Sequence, residues 1–302
     1  MKVFLNGKIL AADQANIAYD DAGLQHGVGL FETMSAHGGK IFRLQEHLER
    51  LAKSAVMLGL VRKLEVGPLA QAVNMTLAAN ELADARIRLT LTAGSLSLLK
   101  PTTAGQPEPL PTVMIVVSPA TVYDPAFFER GVRVLIAPVC TNPLDPLTGH
   151  KTLSYWSRLR TLRQAASVGA HEALWMSITG HVVSGAISNL FILKDDTLYT
   201  PYARGEEVPR IEGNEPSPAQ GLPEALPGVV RAAVIELAEI LGVAVQRKML
   251  TVEDVLAADE VFLTNSGWYV LPVTQVDKSD ISHGEVGEIT QRLLAELREQ
   301  LV

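Results

Sequence analysis

Apolar residues at Leu44, Leu48, Leu51, Ala55 and Leu58 recur with a four-three-four-three spacing, which predicts an amphipathic helix from Arg43 to about Leu60. Arg43, His47, Arg50 and Ser54 repeat that spacing one step round the helix and form a polar stripe beside the apolar one. A second helix is expected over Val66 to Asn80, another through Val230, Ala233, Val234, Leu237 and Leu241 up to Gly242, and a closing one from Glu285 to Leu301. Short apolar or alternating runs predict strands at Val3–Leu10, broken by an Asn6-Gly7 hairpin turn, and at Leu30–Ser35, Arg86–Thr92 and Thr112–Val117. Further strands are expected at Val132–Pro138, Ala173–Ile178, His181–Val183, Asn189–Lys194, Leu198–Thr200, Glu260–Thr264 and Val270–Val273. A helix is predicted to start near Lys151 and run to Val168, because Leu153, Trp156 and Leu159 fall three apart.

Strands and helices mix without strict alternation, so the fold class is α+β, not a doubly wound sheet. Periodicity lapses around Pro119 and Pro125, which sets a small N-terminal domain at 1–118, a linker at 119–127 and a larger C-terminal domain at 128–302. Two proline-rich connections stand out, Pro101–Pro111 and Pro201–Pro227. The second is long enough to suggest a functional loop.

With 302 residues, the chain buries a core without staples, and its single cysteine, Cys140, excludes an internal disulfide and fits a reducing compartment. A formal charge of −7 argues against nucleic-acid or anionic-membrane binding, so any bound anion must be held locally. No apolar run reaches membrane-spanning length and the start of the chain lacks a secretory pattern, so the expected setting is the cytoplasm. The seven histidines are scattered and form no metal-ligand motif, and neither a Walker loop, a dinucleotide fingerprint nor a nucleophile elbow is present.

Lys151 follows Gly149-His150 and stands at the expected start of a helix, where the dipole disfavours a cation and would make the amine more available for an imine. A solvated surface lysine is the ordinary alternative. Arg50, on the border of the polar stripe, can bind phosphate through its fork, or simply pair with Glu46 on a solvated face. Leu226-Pro227-Gly228-Val229-Val230 enters a helix with unpaired amides, and Thr264-Asn265-Ser266-Gly267 leaves a strand with hydroxyls and a glycine. Both are anion-capable.

The order of motifs resembles the fold-type IV pyridoxal-phosphate enzymes: branched-chain aminotransferases, D-amino-acid aminotransferases and aminodeoxychorismate lyases. The resemblance runs through Asn6-Gly7, Gly27-Val-Gly-Leu-Phe-Glu-Thr33, Arg43…His47-x-x-Arg50-Leu51 and Gly149-His-Lys-Thr-Leu153. It continues through Glu172-Ala-Leu-Trp175, Gly185…Ser188-Asn-Leu-Phe191, Tyr199-Thr-Pro201, Leu226-Pro-Gly-Val-Val-Arg231 and Asp259-Glu-Val-Phe-Leu-Thr-Asn-Ser266…Leu271-Pro-Val273. It implies two domains with the cofactor pyridoxal 5′-phosphate between them, and a homodimer acting on a small amino-acid or keto-acid substrate. It casts Lys151 as the Schiff-base lysine and Arg50, the amides of Val229 and Val230 after Gly228, Ser266 and the Gly267 amide as phosphate ligands. Ser184, Ser188, Asn189 and Asn265 are further cofactor neighbours by resemblance, and Phe31, Thr33, Trp156 and Trp268 line the substrate pocket.

Five departures from the family pattern bear on the reaction. Ser184 stands where a glutamate usually faces the pyridine nitrogen, so the ring becomes a weaker electron sink. Trp156 replaces a tyrosine, Ser154 an asparagine, and Ala93 an arginine that often binds substrate carboxylate, while Pro201–Pro227 is longer than usual. The leading expectation is an aminotransferase. A lyase releasing pyruvate is the alternative, and a degenerate cofactor-binding scaffold is the third reading.

Overall fold

The computed structural model describes residues 1–95, 110–208 and 223–301. The expected loops at Pro101–Pro111 and Pro201–Pro227 therefore lie largely outside the described residues. The chain divides into two compact units, one of Met1–Thr121 with His150–Tyr155, the other of Val122–Gly149 with Trp156–Val302. This division differs from the sequence-based one in two respects: the expected linker 119–127 is split between the units, and the segment carrying Lys151 belongs with the N-terminal unit. No helix among the described residues is long and apolar enough to cross a membrane.

The N-terminal unit holds strands β1 (Lys2–Leu5), β2 (Lys8–Ala11), β3 (Gly29–His37), β4 (Lys40–Ile41), β5 (Ala85–Thr92) and β6 (Thr112–Pro119). They form one antiparallel sheet in the order β2-β1-β6-β5-β3-β4. Asn6 and Gly7 both take positive φ, 45° and 89°, the turn whose twist suits a two-residue hairpin. The short helix α1 (Ala22–His26) precedes β3, and α2 (Leu44–Met57) and α3 (Val66–Asn80) cover one sheet face. Strand alternation sends Leu30, Met34 and Ala36 of β3 and Ile87, Leu89 and Leu91 of β5 into the core against Leu48, Leu51 and Ala55 of α2. Each of these buried leucines and isoleucines contributes roughly 1.5–3 kcal/mol. The opposite face of the sheet carries Phe31, Thr33, Arg88 and Thr90, with Thr33 opposite Arg88 and Phe31 opposite Thr90.

The C-terminal unit comprises α4 (Ala126–Glu129), β7 (Val132–Thr141), α5 (Trp156–Ser167), β8 (Glu172–Ser177), β9 (Val182–Gly185), β10 (Asn189–Lys194) and β11 (Thr197–Thr200). It continues with α6 (Val229–Ile240), β12 (Ala244–Arg247), α7 (Val252–Leu256), β13 (Glu260–Asn265), β14 (Tyr269–Val276), β15 (Ser279–Asp280) and α8 (Glu288–Glu299). Its mixed sheet runs β12-β11-β10-β13-β14-β7-β8-β9, with β15 on β14. Parallel pairs (β11–β12, β14–β7 and β7–β8) stand beside antiparallel ones, which fits the α+β expectation. β12 and α7 escaped the sequence reading, although Thr251 and Asp254 form a capping box at the start of α7.

One expectation is overturned here. The helix expected from Lys151 begins only at Trp156. Residues 151–153 instead run alongside β3: Phe31 N–H donates to the Lys151 carbonyl and Leu153 N–H to that of Gly29, both at 2.9 Å. A strand edge with unpaired backbone groups outcompetes the local helical spacing, so the helix-dipole argument for Lys151 falls.

Candidate active site

In the N-terminal unit, the lysine-bearing segment pairs antiparallel with β3 through an isolated Leu30–Thr152 bridge. Side chains alternate along it, so His150 and Lys151 leave in opposite directions. His150 Nδ1 shares a 2.9 Å hydrogen bond with Ser54 Oγ on α2. The Lys151 ammonium sits over the Phe31 ring, 4.6 Å from its centroid, and 5.9 Å from that of Tyr155. Phe31 is buried, and Tyr155 meets it edge-on at 5.1 Å.

The same ring carries a second cation that the sequence reading missed. The Arg88 guanidinium stacks on Phe31 at 3.8 Å, on the sheet face opposite the core. Burial first, and then neighbouring Arg86, hold Arg88 below the usual arginine range, and no carboxylate among the described residues offsets them. A half-buried guanidinium stacked on an aromatic ring and lacking an acid partner is suited to receive a carboxylate from a ligand. Strand alternation in Arg86–Thr92 places Arg88 off the core face. That alternation was the only sequence signal for it.

Arg50 faces the core side of β3. There Glu32 accepts from Arg50 Nε at 2.8 Å and from its Nη2 at 2.5 Å, and lies 2.8 Å from His47 Nδ1. Glu32 and His47 are buried. Burial pushes the Glu32 carboxyl up, but the Arg50 charge and the hydrogen bonds and charge of His47 outweigh it and hold the carboxyl at about 2. Burial lowers the His47 pKa despite the Glu32 contact, so His47 is neutral at pH 7 and donates through Nδ1–H. The polar stripe of α2 is thus filled by Glu32 and His150, not by solvent. The Glu46–Arg50 pair considered from sequence gives way to Glu32–Arg50.

In the C-terminal unit, helix α6 starts after Gly228 with no side-chain cap, leaving the first-turn amides of Val229 and Val230 without an intrahelical acceptor. Asn189 Nδ2 donates to the Leu226 carbonyl at 2.8 Å, and a Cβ on Gly228 would collide with Asn189 Oδ1. Thr264 pairs in register with Asn189, and its buried hydroxyl has no hydrogen-bond partner among the described residues. These features make a cradle with donors to spare, fit for a phosphate.

Several other expected cofactor neighbours hydrogen-bond within their own turns. Asn265 Oδ1 accepts from the amides of Gly267 at 2.8 Å and Trp268 at 3.1 Å, so Asn265 builds the turn and the Gly267 amide already has an acceptor. This corrects the expectation that the Gly267 amide points at an anion. Ser188 Oγ donates to Glu172 Oε2 at 2.9 Å. Glu172 also accepts from the amides of Ala173, Ala186 and Ile187, which fixes the turn after β9. Burial nevertheless pushes the Glu172 carboxyl above its ordinary range. Ser184, buried, donates to the Gly185 carbonyl at 2.8 Å, and Arg158 donates to the same carbonyl at 3.2 Å and to that of Ala186 at 2.7 Å. The side chain at position 184 is therefore neutral, on a turn held by both Arg158 and Glu172. Ser266 stands in the turn after β13. Trp268 packs in the core and meets Tyr123 edge-on, whereas Trp156 is 71% exposed at the first residue of α5. Ala93 is buried at the end of β5.

Comparison with known proteins shows the family. The family described as amino-transferase class IV matches residues 29–276. A putative branched-chain-amino-acid aminotransferase of Methanocaldococcus jannaschii is 34% identical over 295 residues, covering 97% of this chain and 94% of its own. The crystal structure of the Escherichia coli branched-chain amino acid aminotransferase superposes with a TM-score of 0.87 at 25% identity, covering 100% of this chain and 94% of that one. The 4-amino-4-deoxychorismate lyase of Pseudomonas aeruginosa superposes with a TM-score of 0.81 at 28% identity, covering 99% of both chains. The chain belongs to the class IV aminotransferases, a family of enzymes that work with pyridoxal phosphate.

Proposed function

We propose that this enzyme transfers an amino group between an amino acid or amine and a keto acid, with Lys151 as the residue that holds the cofactor's aldehyde carbon. The supporting observation is the Lys151 ammonium on the Phe31 ring that also carries the Arg88 guanidinium, which has no carboxylate partner among the described residues. An amine and a carboxylate receptor share one aromatic platform, which is what an amino-acid substrate requires.

The residues fit the cofactor's chemistry. Phosphate contacts are proposed for the Val229 and Val230 amides beyond Gly228, for Asn189, Thr264 and Ser266, and for Arg50, whose orientation Glu32 fixes. When bound, the cofactor supplies an electron sink for charge developing at the substrate Cα. Lys151 Nζ takes the Cα proton and returns it, Arg88 holds a substrate carboxylate, and Phe31 and Thr33 line the substrate side. Ser184 supplies a neutral hydroxyl where the resemblance implies an acid, so the sink is weak and removal of the Cα proton by Lys151 is slower.

A homodimer in the cytoplasm completes the reading. Trp156 and Leu159, one turn apart on α5 and 71% and 48% exposed, give a second copy an apolar patch to cover. Light scattering of the purified protein tests the dimer.

Mixing the holoenzyme with amino acids of either hand tests the activity. Conversion of the cofactor spectrum to that of the amine form, with release of the keto acid, supports transfer. Pyruvate release from aminodeoxychorismate without an amino acceptor would support the lyase reading, with which a neutral Ser184 is compatible. Failure to bind the cofactor would leave only a scaffold.

A further inference from the structure

Lys151 sits on a short segment that is neither helix nor part of a long strand, held to β3 by the two backbone hydrogen bonds at Phe31 and Leu153. A residue that must be displaced from the cofactor and then return to it needs a firmer seat than a two-bond strand edge. A side-chain hydrogen bond, that of His150 with Ser54, ties this segment to helix α2. Ser54 is buried on α2, one helical turn beyond Arg50 and two beyond His47, on the stripe that also grips Glu32. Ninety-six residues separate Ser54 from His150, so the bond is a tertiary anchor and no by-product of local geometry.

We propose that Ser54 and His150 are positioning residues for Lys151: their hydrogen bond pins the lysine-bearing segment to helix α2 and fixes where the amine returns. The inference rests on the reading of Lys151 as the imine-forming residue. His150 takes no part in proton transfer, because alternation along the segment turns its ring toward α2 while the Lys151 side chain lies on the Phe31 face. The backbone bonds to β3 fix one edge of the segment and the Ser54 bond fixes a second point, so sliding and tilting are both blocked. Small displacements of a reacting group are costly, and loss of one such anchor is felt at the amine.

The test compares two ligands of the full chain: pyridoxal phosphate, which can form the imine, and pyridoxine phosphate, which carries an alcohol in place of the aldehyde and cannot. Ser54→Ala and His150→Leu should each weaken pyridoxal phosphate binding about fivefold, the scale of one neutral hydrogen bond, and leave pyridoxine phosphate within twofold. The double variant should be no weaker than either single one, because both remove the same bond. His150→Asn, which keeps a side-chain donor and acceptor, should recover most of the loss. Amide hydrogen exchange across residues 150–155 should quicken in the variants that lose the bond and return toward wild type in His150→Asn.

Parallel weakening of both ligands would mean a general structural defect and overturn the proposal. So would unchanged binding of both, or additive losses in the double variant. Borohydride reduction of the wild-type holoenzyme separates this from the underlying reading. No pyridoxyl label at Lys151 removes the imine itself, and the proposal with it, whereas a label with ligand-independent effects removes only the anchoring role.

Discussion

Glu32→Gln probes the buried charge cluster that holds Arg50. The Glu32 carboxyl is almost fully shielded, accepts two hydrogen bonds from Arg50 and one from His47, and is held at about 2 in place of its ordinary 4.5. At 1.36 kcal/mol per tenfold change in proton affinity, this difference corresponds to about 3 kcal/mol favouring the charged form in the folded protein. Glutamine is nearly isosteric but removes the charge that Glu32 sets against the Arg50 guanidinium, and breaking a buried pair in this way typically costs about 3–5 kcal/mol. The sign follows from linkage: Glu32 binds protons less readily folded than unfolded. Its contribution is therefore complete above about pH 4.5 and is lost as the pH falls toward 2. Urea unfolding followed by far-ultraviolet circular dichroism at pH 7 and at pH 4 measures both effects. Trp156, Trp175 and Trp268 all belong to the C-terminal unit, so tryptophan fluorescence serves as an internal control. The variant should lose about 3 kcal/mol by circular dichroism at neutral pH and show a flatter acid dependence than wild type. A loss below about 0.5 kcal/mol, or an acid slope parallel to wild type, would refute the argument that Glu32 and Arg50 form a strong buried pair.

Three further outcomes are expected. His47 is buried with a lowered pKa, so wild-type stability should fall as the pH drops below its ordinary 6.5, and His47→Gln should remove that part of the slope; identical slopes between pH 7 and 5 would contradict it. Gly228→Ala should weaken pyridoxal phosphate binding about tenfold, because the added methyl collides with Asn189 Oδ1 at the mouth of α6, and a crystal structure or titration showing wild-type binding would count against the cradle. Ser184→Glu should speed the half-reaction with an amino donor at least tenfold by keeping the pyridine nitrogen protonated, and an unchanged rate measured by stopped-flow absorbance would reject that account.

Much of the fold was legible because its signals are local. The spacing of Leu44, Leu48, Leu51 and Ala55 is realised as the buried face of α2, and Asn6-Gly7 turns the first hairpin. The polar stripe of His47, Arg50 and Ser54 was also visible, but not its partners: Glu32 lies 18 residues from Arg50 and His150 lies 96 from Ser54. The Lys151 helix was misread for the same reason. The three-residue spacing of Leu153, Trp156 and Leu159 is a local cue, and the open edge of β3 that overrides it is 120 residues away in the chain. Arg88 looked like an ordinary strand arginine, since nothing nearby in sequence shows that it shares the Phe31 ring with Lys151. The Asn265 turn was overlooked for a subtler reason. An Asx residue before glycine satisfies its neighbours' amides first, and that competes with any ligand for the Gly267 amide.

The most direct test of the account is borohydride reduction of the holoenzyme followed by peptide mapping. A pyridoxyl group on Lys151, in the peptide that also contains His150, is the predicted result. An unmodified Lys151, or a label on a different lysine, would contradict the assignment on which the chemistry depends.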